Sequence, residues 1–134
     1  MSANSKLSIA IHILTLLHVR RPEAISSAFI AGSVNTNPVV IRRLLADLVE
    51  AGLVSTQKGV NGGYQLKRSA DSITLAEVFL ALKETSVFGL HVAKPNPLCS
   101  VGKTIESKLS TVYNQIDETL LSSLNEKKIS DFTP

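Results

Sequence analysis

Apolar side chains recur along this chain in changing rhythms, and each change of rhythm marks a new element. Residues 7–17 are apolar on nearly all sides of a helical wheel (Leu7, Ile9, Ala10, Ile11, Ile13, Leu14, Leu16, Leu17). That pattern predicts a helix from Lys6 to about Val19, seated in a core or between subunits. Ser5 is placed to cap it, and Arg20, Arg21 and Pro22 end it. A second, short helix fits Ser27–Ser33, with Ser26 as cap and Gly32 near its end. Val34-Asn35-Thr36 then makes a tight connection.

The third helix has the clearest boundaries. Asn37 is a strong cap residue, Pro38 falls at the first helical position, and Gly52 stops the helix. Val40, Ile41, Leu44, Leu45, Leu48 and Val49 form its apolar face, leaving Arg42, Arg43, Asp47 and Glu50 for solvent or a ligand. The period then changes. Leu53–Lys58 reads as a strand, Gly59-Val60-Asn61-Gly62-Gly63 as a turn and Tyr64-Gln65-Leu66 as the returning strand. A hairpin this small must lie against the helices.

Thr74-Leu75-Ala76-Glu77 matches a capping box opening a helix through about Glu84, with Leu75, Val78, Phe79 and Leu82 inward. Residues 85–100 have no period and contain Pro95 and Pro97. A gap of that length is usually functional or a linker. Val101, Ile105, Leu109, Val112, Ile116, Leu120 and Leu124 then step by three or four through a helix of about 24 residues. So long and narrow a stripe suits packing on another helix, most simply that of a second copy.

With 134 residues, 44% hydrophobic and 19% charged, the chain has one domain's worth of sequence and can supply a packed core. The formal charge of +3 says little until the chain is halved. Residues 1–70 carry eight basic and three acidic side chains, net +5; residues 71–134 carry six and eight, net −2. The first half is thus the one suited to a polyanion. A single cysteine excludes an internal disulfide and fits a reducing, cytoplasmic compartment. No membrane association is expected, because the longest apolar run, Leu7–Leu17, is broken by Ser8, His12 and Thr15 and is far short of the ~20 residues of a span. Arg20 and Arg21 follow that run and no small-residue cleavage site does, so a buried helix is expected rather than a signal peptide.

Two short helices joined by a tight turn, the second exposing two arginines and followed by a glycine-rich hairpin, make the plan of a winged helix-turn-helix. The fold class is therefore mainly α with a small β-hairpin wing, plus a long C-terminal dimerisation helix. Residues 1–84 are expected to form the DNA-binding domain, 85–100 a loop of effector or sensor type, and 101–134 the dimerisation helix and tail. A helix is narrow enough to enter the major groove, where the third helix's N-terminal residues meet base edges. Lys58, by the hairpin turn, reaches toward the flanking backbone or minor groove.

Lys58-Gly59-Val60-Asn61-Gly62-Gly63-Tyr64-Gln65-Leu66 followed by Ile73-Thr74-Leu75-Ala76-Glu77-Val78 resembles the signature of the Rrf-two family of bacterial transcription regulators. The resemblance covers nearly the whole chain and implies a homodimer that binds double-stranded DNA, with the last helix crossing to the partner. It places base-reading positions on Asn37, Val39, Val40 and Arg43 and the wing's basic residue on Lys58. Arg42 joins them as a phosphate contact on charge grounds, and Asn61 as a wing-turn residue. The function expected is a sequence-specific regulator, a repressor on a near-palindromic operator with an unknown effector. The other reading is a winged helix that binds protein instead of DNA.

Cluster-binding members of that family place three cysteines between the fourth and last helices. Here only Cys99 stands, at the middle position, while Ala93 and Ile105 occupy the flanking ones. One thiolate with His91 nearby is too few ligands for an iron–sulphur cluster, so no cofactor and no metal is expected and the chain resembles the cluster-less branch. Cys99 is either a redox sensor, its pKa lowered by Lys94, Lys103 and a helix start, or an inert packed thiol. Packing is the commoner fate of a free cysteine.

His12 is expected in the core or an interface, and His18 at the surface of a helix end. Arg20 and Arg21 fit either a solvated terminus or phosphate contacts, and Tyr64 is expected to pack the wing onto the helices. Enzyme chemistry is not expected. No Ser-His-Asp context, phosphate-binding glycine loop or paired carboxylates in a pocket are legible, and the Gly-x-x-Gly-Gly run lies in a hairpin.

Overall fold

The computed structural model describes residues 3–83 and 86–134. Its helices are α1 (Ala3–Val19), α2 (Ser27–Val34), α3 (Pro38–Glu50), α4 (Leu75–Ala81) and α5 (Ile105–Leu124). Between α3 and α4 lie β1 (Val54–Gln57) and β2 (Gly63–Leu66); one-turn 3-10 helices follow at Ala70–Ser72 and Ile129–Phe132.

Local chemistry explains most boundaries. The Ser26 hydroxyl accepts from the Phe29 N–H at 3.2 Å and the Asn37 Oδ1 accepts from the Val39 N–H at 2.8 Å. Thr74 and Glu77 close a reciprocal capping box at the start of α4. At the far end of α3, Gly52 adopts φ +78°, and the Leu53 N–H reaches back to the Leu48 carbonyl at 3.0 Å. Other boundaries differ from the pattern reading. Helix α1 begins at Ala3, so Ser5 lies inside it; no Gly or Pro in Ala3–Ser5 stops the helix from taking in that polar stretch. Asn35, not Gly32, closes α2: it takes the left-handed conformation (φ 61°) and donates to the Ala31 carbonyl at 2.8 Å. Glu84, where the pattern ends the fourth helix, and residue 85 lie outside the described residues; α4 gives way at Leu82 and at Lys83, whose φ is +62°.

Helix α5 starts at Ile105 rather than Val101. Gly102 lies so close to the Asn96 carbonyl that a Cβ would sit 2.3 Å from its oxygen. Residues 100–104 form turns ahead of the helix, and Val101, the first residue of the predicted stripe, is exposed.

One core joins these elements. Ile13, Leu14 and Leu17 of α1 share it with Ile30 of α2 and Ile41, Leu45 and Leu48 of α3, joined by Leu53 and Val54 at the entry to the wing and by Ile73 before α4 and Val78 within it. As predicted, Leu75, Val78, Phe79 and Leu82 point inward. The strands pair antiparallel with Val54 opposite Leu66 and Gln57 opposite Gly63. A contact absent from the pattern reading closes the core at its far end. After α5 the chain returns, and Ile129 is fully buried, its N–H bonded to the Ile73 carbonyl at 3.0 Å.

Candidate nucleic-acid interface

The start of α3 is closed by its own local chemistry. Pro38 occupies its first turn and the Asn37 side chain caps it, which leaves the Asn37 carboxamide nitrogen as the group free to face a base edge. Beyond the cap, Val39, Arg42 and Arg43 share the exposed surface, whereas Val40 is half-buried and packs against the core. The two arginines make no ion pair among the described residues. The acidic end of the same helix is neutralised: Lys83 Nζ lies 3.1 Å from Glu50 and 3.9 Å from Asp47. Glu50, and more weakly Asp47, hold the Lys83 ammonium above its ordinary pKa. The uncompensated charge of α3 is thus positive and lies in its N-terminal half.

The wing is held beside this helix by backbone bonds. Gly52 sends the chain from α3 directly into β1, and the two elements pack together. Ile25, in the connection before α2, forms a β-bridge with Tyr64: its N–H donates to the Tyr64 carbonyl at 2.9 Å and the Tyr64 N–H donates back at 2.8 Å. Gly63 makes this docking possible. Its φ is +152°, and a Cβ there would lie 2.5 Å from the Ile25 carbonyl oxygen. Tyr64 packs against the core, as expected of it. Lys58, Val60 and Asn61 are left exposed around the wing turn.

Other residues fall away from the expected places. Cys99 is exposed rather than packed, because α5 begins six positions later and the thiol sits in the turns ahead of it. Backbone N–H groups of Gly102 and Val101 lower its pKa. His12 is exposed, not in the core, with Nε2 3.0 Å from the Ser33 hydroxyl. His18 is half-buried with Nδ1 out of contact with solvent, because the last turn of α1 stays against the domain instead of ending at the surface. Pattern reading missed how Arg20 is held: its guanidinium pairs with Glu23 at 3.2 Å and lies 4.8 Å above the Phe29 ring. The i, i+3 spacing of Arg20 and Glu23 was the available signal.

A capped helix with free arginines, entered through a tight turn and flanked by a pinned hairpin, is the architecture of a winged helix-turn-helix protein. Solved structures share it. The global cysteine regulator CymR of B. subtilis superposes with a TM-score of 0.64 at 22% identity, covering 96% of this chain and 90% of that one. A crystal structure of a candidate DNA-binding protein gives 0.76 at 35% identity, covering 94% and 97%. The family model described as Rrf2, iron-dependent transcriptional regulator, matches residues 3–134. YwnA of Bacillus subtilis (strain 168), a candidate HTH-type transcriptional regulator, is 40% identical over 129 residues, 96% of this chain and 94% of that protein. The chain belongs to the Rrf2 (Rrf-two) family of transcriptional regulators, DNA-binding proteins rather than enzymes.

The family's description names iron, but the residues present do not fit an iron site. The chain has one cysteine, and no three His, Cys, Asp or Glu side chains among the described residues are grouped to hold a metal. Nor, among those residues, is any helix long and apolar enough to cross a membrane.

Proposed function

We propose that two copies of this chain bind duplex DNA as a homodimeric repressor in the cytoplasm, on a near-palindromic operator with half-sites about one helical turn apart. The observation that carries this reading is the unpaired Arg42–Arg43 surface at the capped end of α3, beside a wing fixed by backbone bonds. In this reading α3 enters the major groove. Arg43, Val39 and the Asn37 amide face base edges, with Val39 and the outer part of Val40 meeting thymine methyl groups. Arg42 takes a phosphate, and Lys58 and Asn61 take the flanking backbone or minor groove. Residues 1–84 act as the DNA-binding unit, 85–100 as the loop that receives a signal, and 101–134 as the dimerisation helix and tail.

Salt dependence tests the reading. Affinity for duplex DNA should fall steeply with salt, with a log–log slope of about −0.9 per neutralised phosphate. A flat response, or no binding to any duplex at low salt, refutes it and favours a protein-binding role. Cys99 fits a sensor in being exposed with a lowered pKa. Replacing it by Ser should leave binding intact in reductant and remove any response to oxidant.

A further inference from the structure

Between the wing and the corner joining α1 to α2 lies an open cleft of about 490 Å³, walled by Arg20, Glu23, Ser26 and Phe29 on one side and Val60 and Asn61 on the other. We infer that this cleft seats a phosphate of the DNA backbone, with Arg20 as its charged ligand. The inference rests on the DNA-binding reading above and extends it to a surface outside α3 and the wing's basic residue.

Three observations carry it. First, the two walls are tied together. Ile25, which lines the cleft, bridges to Tyr64 of β2, and the Gln65 side-chain amide donates to the Pro22 carbonyl at 2.6 Å, so backbone and side-chain bonds join the wing to the α1–α2 corner. Second, Arg20 is pre-positioned. The Arg20 Cζ lies 4.8 Å from the centre of the Phe29 ring, a cation–π contact, while 41% of the Arg20 side chain stays open to solvent. Third, the cleft is continuous with the proposed interface: Asn61 belongs to both, and the same hairpin carries Lys58. In the proposed docking, the cleft lies on the same wing that meets the DNA flanking α3, within reach of its backbone.

Glu23 gives the inference its sharpest consequence. Its carboxylate is 3.2 Å from Arg20 and 63% exposed, so it holds the guanidinium in free protein and opposes an incoming phosphate. A phosphate must compete with it for the same donors. Replacing Glu23 therefore removes a competitor and a repulsive charge together.

The test uses the full chain and a fluorescent mixed-sequence duplex of about three helical turns (~30 base pairs), titrated over a range of salt. Arg20→Gln should weaken binding and flatten the log–log salt slope by about 0.9 for each protomer's lost contact. Glu23→Gln should tighten binding several-fold. Arg21→Gln removes an equal charge from a residue outside the cleft and should flatten the slope less than Arg20→Gln. Thermal melts of the variants confirm that each is folded. A wild-type slope that is steep but unchanged in Arg20→Gln, equal losses for Arg20→Gln and Arg21→Gln, or a Glu23→Gln variant that binds no better, each overturns the cleft and leaves the general reading standing. Failure of the wild type to bind duplex at low salt overturns both.

Discussion

Arg42 and Arg43 are neighbours in sequence and both exposed, yet the proposed roles separate them by measurement. If Arg43 reads a base, Arg43→Ala costs about 1–3 kcal/mol on the preferred sequence and relaxes discrimination at one position. Arg42→Ala weakens binding on all sequences alike and flattens the salt slope. Selection of duplexes from a random pool by each variant distinguishes the two; a uniform loss for Arg43→Ala makes it a phosphate contact as well. Gly63 gives a second prediction at this scale. Any Cβ there meets the Ile25 carbonyl at 2.5 Å in a backbone conformation disfavoured by L residues. Gly63→Ala should therefore cost more than about 1 kcal/mol, seen as a lowered melting temperature, and should loosen the wing. Single residues were legible in the sequence where their chemistry is local. Asn37, Pro38, Gly52 and Thr74 act within one turn of themselves, and each does what its type predicts. Asn35, His18 and Cys99 were not legible, because their surroundings are set by where neighbouring elements end.

Among the elements, α4 combines what pattern reveals with what it hides. Its capping box is written in Thr74 and Glu77, but Glu77 also accepts from both terminal guanidinium nitrogens (Nη1 and Nη2) of Arg68, nine residues earlier. Arg68 reaches the Ser72 carbonyl as well, so one arginine ties the wing's exit to the start of α4. The hydrogen bonds from Arg68 hold the Glu77 carboxyl below its ordinary 4.5, with the Thr74 backbone N–H adding to the effect and partial burial opposing it. A carboxyl with a depressed folded pKa stabilises the fold above its unfolded value, and that contribution is lost as pH falls through the folded value. Both side chains are more than a third exposed, so the effect is modest and weakened by salt. Thermal melts across acid pH should show the wild type losing stability below about pH 4.5, with Glu77→Gln less stable at neutral pH and flatter in the acid range. Parallel curves for the two proteins would remove Glu77 from the account. The start of α5 illustrates the opposite limit of pattern. A continuous apolar stripe puts Val101 inside the helix, whereas the chain runs through turns at 100–104 and the helix begins only at Ile105.

For the whole molecule, the decisive feature is apolar surface that one chain leaves uncovered. Helix α5 runs for twenty residues without a fully buried side chain, with Val112 48% and Ile116 41% exposed. A groove of about 510 Å³ along α1 is lined by Ile11, Leu16, Val19 and Phe132, so the helix that reads as apolar all round leaves part of its apolar surface open, with Val19 48% exposed. The stripe was legible in sequence because its spacing survives without tertiary context. The anchoring of α5 was not, since Ile129 is an isolated apolar residue after Lys127 and Lys128 and its burial depends on the chain turning back. That anchor matters to the proposed dimer: it fixes α5 to the domain that carries α3, so pairing through α5 also sets the separation of the two recognition helices. Ile116 and Leu120 line a shallow groove on α5, and Ile116→Glu puts a charge where a second copy would cover it, at little cost to a fold in which Ile116 is exposed. Sedimentation at micromolar concentration should give a dimer for the wild type and a monomer for Ile116→Glu, with matching circular dichroism. Each half-site then binds alone, and the loss of effective concentration should lower operator affinity by about 10²-fold or more while leaving the contacts of a single α3 intact. A wild type that sediments as a monomer, or a variant that stays dimeric, would move the subunit contact away from this face of α5.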